Sequence, residues 1–113
     1  MSFMSVRQLQ PQAVSANFVQ RDEDVTDFGA CNALFVDCRI LKPTGGSTGK
    51  VILLHSASGE PGSYFQIANV GWVVDGATAR LAVIKDFLRY VRVATDANVT
   101  GDPVVVLDIV GKV

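Results

Sequence analysis

Apolar and polar residues alternate most regularly over residues 32–41. There Leu34, Val36, Cys38 and Ile40 fall on one face, and Phe35, Asp37, Arg39 and Leu41 on the other. A period of two places successive side chains on opposite faces of a strand, so this stretch predicts a buried first face and a mixed second one. Extended patterns recur over 13–19 (with Val14, Ala16 and Phe18 on one side), 51–55, 64–70, 78–84, 87–95 and 104–110. Clusters of Gly, Pro, Asn, Asp and Ser separate them: an acidic turn over 21–24, a glycine-rich loop over 42–50, turns over 56–63 and 98–103, and the Asp75-Gly76 pair. Residues 77–93 also allow a helix, with Leu81, Ile84, Leu88 and Val91 near helical spacing, but Val, Ile, Thr, Phe and Tyr are frequent there and favour strands. The pattern predicts an all-β fold of seven or eight short strands: a single antiparallel β-sandwich, jelly-roll-like, over residues 13–113.

Residues 1–12 show no clean period. Phe3, Met4, Val6 and Leu9 are scattered among Ser, Gln and Arg, and Pro11 interrupts the stretch. A frayed terminus is one reading, but four sizeable apolar residues are many for a solvated tail, so the other is an N-terminal arm over 1–12 that docks on a neighbouring subunit.

Composition narrows the function classes. The 113 residues are 49% hydrophobic and 19% charged, with a net charge of −1, and the mean hydropathy is +0.30. A chain of this size folds to roughly 6,000 Å² of surface and can bury a core without staples. Ten basic residues against eleven acidic ones give no electrostatic footprint for nucleic acid. No apolar run approaches the roughly 18 residues of a membrane span, and residues 1–7 lack the apolar stretch of a signal peptide, so synthesis in the cytoplasm is expected. Cys31 and Cys38 lie an odd number of residues apart in one extended segment, which opposes their side chains and disfavours a disulfide. With one histidine, a Cys/His zinc site cannot reach four ligands.

Candidate chemistry is sparse. Gly45 and Gly49 are too close, and Lys50 is followed by Val51 and a strand, so the loop does not have the form of a phosphate-binding loop and is expected to be a flexible hairpin connection. His55 and Ser56 are adjacent on a strand and point apart, so the histidine is badly placed to activate the serine. Asp22, Glu23, Asp24 and Asp27 do not fit a calcium loop, because Asp27 stands at the turn-glycine position and Ala33 at that of the final glutamate. No catalytic, cofactor or metal residue is assigned. Trp72 and Tyr64 lie near turns, where the rings either cover the edge of the core or, exposed, stack on a sugar or anchor an interface. Arg89 and Arg92 flank Tyr90, an arrangement suited to hydrogen bonds across a protein interface.

The order of segments also carries a resemblance. Leu34-Phe35-Val36-Asp37 leads to the glycine-rich loop and then to Val51-Ile52-Leu53-Leu54-His55-Ser56. The aromatic strand Tyr64-Phe65-Gln66-Ile67 follows. Phe87-Leu88-Arg89-Tyr90-Val91-Arg92-Val93, Thr100-Gly101-Asp102-Pro103 and Val104-Val105-Val106-Leu107 close the chain. Over residues 32–111 this resembles small β-sandwich virion proteins of bacteriophages, among them capsid decoration (cement) proteins and tail-associated proteins. The resemblance implies a non-enzymatic structural protein of the virion that bridges the major capsid protein or other virion proteins and self-associates as a homo-oligomer. It transfers no active site. A tail or baseplate protein and a carbohydrate-binding β-sandwich module are the alternatives. The interface residues expected from the sequence are Phe3, Met4, Val6, Leu9, Trp72, Arg89, Tyr90 and Arg92.

Overall fold

Eight strands make up the computed structural model, which describes residues 2–76 and 80–113: β1 (Phe3–Ala13), β2 (Thr26–Asp27), β3 (Ala33–Lys42), β4 (Lys50–Ser56), β5 (Phe65–Val73), β6 (Arg80–Ile84), β7 (Tyr90–Thr95) and β8 (Val104–Lys112). Two four-stranded sheets face each other, sheet A in the order β1-β8-β3-β6 and sheet B in the order β2-β7-β4-β5. All pairings are antiparallel. The pairs β1:β8, β2:β7, β3:β6 and β4:β5 are nested, as in one long hairpin folded back between β4 and β5. Rolling that hairpin adds the lateral pairs β3:β8 and β4:β7, which is the double Greek key of a jelly roll. The expected all-β sandwich is therefore the observed one.

Every connection except β4–β5 crosses from one sheet to the other. Accordingly, the glycine-rich segment after β3 is not a hairpin turn; it is an inter-sheet crossover. Its backbone lies against the turn before β8: a Cβ on Gly49 would stand 2.2 Å from the Val99 nitrogen. The Ser47 hydroxyl accepts the Gly49 and Thr100 amides at 3.2 and 3.3 Å.

The core lies between the sheets. The face of β3 expected to be buried is buried, and Val51 and Leu53 of β4, Val91 and Val93 of β7, and Val105, Leu107 and Ile109 of β8 meet it with Phe28, Trp72 and Val74. The helical alternative over 77–93 does not occur among its described residues, which form β6 in one sheet and the start of β7 in the other. Residues 77–79, which include the expected start of a strand at residue 78, lie outside the described residues.

Two further regions depart from expectation. Residues 3–13, read as an arm up to residue 12, form β1 and pair with β8 along their length, and most of residues 14–25 are irregular. Register shifts between Arg7 and Leu9 and between Leu9 and Gln12 break the alternation. Met4 and Val6 face the core in one register, and Leu9 is buried in the next. Such bulges re-phase the side chains and hide the strand from a period-two search. The surface of 5956 Å² matches the scaling for a compact chain of this mass. The second change is in β5, which runs on through Trp72. Residues 67–70 stand opposite Leu53 alone, and Asn69 takes a left-handed conformation (φ 63°) in that bulge.

The two sheets are seamed beside β1 by a buried amide pair. Gln8 Nε2 donates to Gln20 Oε1 and to the Asp24 carbonyl, both at 2.9 Å. Gln20 Nε2 donates to the Gln8 carbonyl, and the Val93 amide donates to Gln20 Oε1 at 2.8 Å. The Thr26 hydroxyl completes the set on Gln8 Oε1. The network ties sheet A to β7 of sheet B and fixes the acidic segment 20–27.

Candidate functional site

On the outer face of sheet B, Asp27, Tyr90 and Ser56 form one row across β2, β7 and β4. Gly59 packs on the Tyr90 ring; a Cβ there would lie 3.1–3.3 Å from ring atoms, and its φ of +75° also favours glycine. The Arg89 guanidinium stands 5.1 Å from the ring centroid and grips Asp27 through both carboxylate oxygens at 2.8 and 2.9 Å. These bonds, with the Gly29 amide on the same carboxylate, hold Asp27 below the usual carboxylate range. One row along, the Arg92 guanidinium lies 4.0 Å from the Tyr64 centroid, and its Nη1 donates to the Gln20 carbonyl and to Asp22. Burial pushes the Tyr64 phenol up, against the opposing effect of Arg92. Between the tyrosines, Asp22, Val25, Asp27, Ser58 and Gly59 complete an open cleft of about 290 Å³. The cleft sets the Tyr64 and Tyr90 side chains beside the Asp22 and Asp27 carboxylates and the Ser58 hydroxyl.

Sheet A presents a different outer face. Arg7 chelates Asp108 at 2.8 and 3.2 Å, and Arg39 lies 3.7 Å from both Asp108 and Asp37. Beside this charged group runs an apolar row, Val110–Phe35–Val83, across β8, β3 and β6. Leu81 is 70% exposed and Val83 53%, and Leu41 and Phe3 are also exposed.

The expected interface residues divide between these environments. Phe3 is on the outer face of sheet A, where it neighbours Lys112. Met4 and Val6 are half-buried against the core, while Leu9 is 2% exposed and Trp72 4%, so neither of the last two reaches a partner's surface. Trp72 is buried because β5 continues past its bulge and returns that side chain to the sandwich. Arg89, Tyr90 and Arg92 do come together, with Tyr64, on sheet B. Missing from the sequence reading were Leu81 and Val83 as a surface, since β6 is apolar on both faces and carries no mark of which one is covered. The pairing of Arg89 with Asp27 was equally hidden, because it joins residues far apart in the chain.

The other candidates have structural partners. His55 sits near the end of β4, its Nδ1 accepting the Leu88 amide at 3.0 Å and its ring edge-on to Phe65. Burial lowers its pKa. Ser56 faces the other way and bonds Ser63 and the Gly59 amide. The acidic turn is matched by arginines: Asp22 by Arg92, Glu23 and Asp24 by Arg21, and Asp27 by Arg89. Among the described residues no three metal-ligating side chains converge. Cys38 is buried in β3, which pushes its thiol up to about 12. Cys31 does not share that strand; it precedes it and packs on Gly111. Among the described residues no helix is long and apolar enough to cross a membrane.

No family model, curated protein or solved structure matches the chain. The comparisons therefore lend nothing to the resemblance to phage virion proteins.

Proposed function

We propose that the protein is a non-enzymatic structural component of a virus particle, a capsid decoration protein that stabilises the shell through protein–protein contacts. The observation that carries this reading is the complete jelly-roll order combined with the exposed apolar row that ends at Leu81 and Val83 on sheet A, beside the Arg7–Asp108 group. Jelly rolls serve as viral capsid domains as well as lectin domains, and clustered exposed Leu and Val side chains favour burial against a partner. Bridging neighbouring shell subunits stabilises the assembled state by mass action and involves no reaction. The engagement of His55 Nδ1 by a backbone amide fits a structural histidine. Quantitative mass spectrometry of gradient-purified particles from cultures expressing the chain tests the reading. The chain should co-band with the major capsid protein at a fixed high copy number; its absence from particles while abundant in the lysate overturns the proposal. A six-membered ring in light scattering would move the assignment to the tail or baseplate.

A second reading, a carbohydrate-binding module, is favoured by the Tyr64–Tyr90 cleft with its carboxylates and Ser58. It predicts saturation-transfer NMR signals from simple sugars that disappear in Tyr64→Ala and Tyr90→Ala.

A further inference from the structure

Each sheet of an open sandwich ends in two strands whose outward N–H and C=O groups are unpaired, and such edges recruit other strands unless something blocks them. Three of the four edges here are blocked. β1 contains Pro11, which has no N–H to offer, and two register shifts. β2 is two residues long, and its Asp27 is held by Arg89. β5 is interrupted by the bulge over 67–70. The fourth edge, β6, has none of these devices. Its register against β3 is continuous from Arg80 to Ile84, with no proline or glycine, and its charges are confined to Arg80 at one end and Lys85 just beyond the other. Among the described residues nothing pairs with its outer side.

We infer that β6 is a joint between two copies of this chain, pairing antiparallel with its own counterpart about a twofold axis at Ala82. The pattern of the strand argues for a second copy over an unrelated partner. Leu81 and Val83 flank Ala82 symmetrically on the outer face, so the twofold sets Leu81 of each copy beside Val83 of the other. Both apolar side chains are then half covered by their counterparts, and cross-strand apolar pairs of this kind are favourable. The small Ala82 meets itself on the inner face. The row Val110–Phe35–Val83 then continues across the axis into the partner's Leu81, and the two sheets A form one of eight strands. The charged group of Arg7, Asp108, Asp37 and Arg39 stays in solvent, whereas stacking the two faces of sheet A would bury it at a desolvation cost.

Five residues span only about 17 Å of edge. The area covered is well below the roughly 800 Å² per partner of a standing dimer. The joint is accordingly weak in free solution and holds where copies are concentrated, as on a shell. It deepens the structural reading by naming one of its contacts, but is tested on the purified chain, apart from any particle.

Sedimentation across the micromolar-to-millimolar range should show a weight-average mass rising from 12.1 kDa towards twice that value. Leu81→Lys should hold the chain at the lower mass with an unchanged circular dichroism spectrum, since that side chain is exposed. Mild oxidation of Ala82→Cys should give a disulfide-linked dimer, because only residue 82 faces its own copy. Leu81→Cys should not cross-link, its counterpart lying diagonally at about 7–8 Å. A monomer at every concentration overturns the joint. So does association that survives Leu81→Lys, or cross-linking through residue 81 instead of 82; each leaves the particle assignment standing, which only the particle measurement can remove.

Discussion

Replacing Gln20 with leucine, close to it in size and shape, tests the amide seam between the sheets. The substitution orphans two groups: the Val93 amide, on a residue with no exposed surface, and the Gln8 carbonyl. Each buried polar group left without a partner costs about 1–3 kcal/mol. Leucine's own burial offsets about 1–2 kcal/mol of the sum, leaving a net destabilisation of about 2–3 kcal/mol at the middle of these ranges. At about 2.1 cal/mol/K of unfolding entropy per residue, that lowers the Tm of a 113-residue chain by roughly 10 °C. Gln8→Leu differs in an instructive way. It frees the carbonyl of Asp24, an exposed residue, and the hydroxyl of half-buried Thr26, while Gln20 Oε1 keeps the Val93 amide. Its cost should be about 1 kcal/mol or less. Urea unfolding followed by the fluorescence of Trp72, the single tryptophan and a buried one, reads both variants. Equal costs for the two, or a Gln20→Leu protein within 0.5 kcal/mol of the parent as a rough bound, would refute the claim that the network matters through its buried backbone partners.

Three further outcomes follow from the same geometry. Because the folded-state pKa of His55 lies below its ordinary value of about 6.5, the unfolded chain binds the extra proton more readily. The stability this group contributes is thus complete above that pH and is lost as the pH falls towards the folded pKa; His55→Gln should flatten that part of the Tm-against-pH curve. Gly49→Ala should leave little folded protein in expression trials, because a Cβ would meet backbone 2.2 Å away, whereas Gly45→Ala, in open space, should melt within a degree or two of the parent, roughly ±0.5 kcal/mol. Deleting residues 2–10 removes most of β1, with Leu9 and Gln8, so the truncated chain should lose cooperative unfolding; a truncated protein that still melts sharply would show that β1 is dispensable.

The fold class was legible because alternation in β3 and β-branched density in β4, β7 and β8 report one-sided or complete burial directly. Leu34, Val36, Cys38 and Ile40 are inside for the reason their spacing suggests: a straight strand with one covered face has a period of two. Where the backbone departs from a straight strand, that signal fails. The bulges in β1 and β5 shift the phase, so an apparent arm is an edge strand and Trp72 is core. A bulge depends on the neighbouring strand's register, a property of paired segments distant in sequence. The same holds for the candidate sites. Arg89, Tyr90 and Arg92 stood out as a local triplet, but Asp27, Asp22, Gly59 and Tyr64 reach them only through the β2:β7 and β4:β7 pairings and the loop after β4. Likewise the apolar residues of β6 could be named from the sequence, yet only the rolled topology decides that it ends a sheet, with Ala82 and Ile84 turned to the core and Leu81 and Val83 to solvent. Local patterns record which side of a strand avoids water, whereas which strand lies at an edge is decided by long-range pairing.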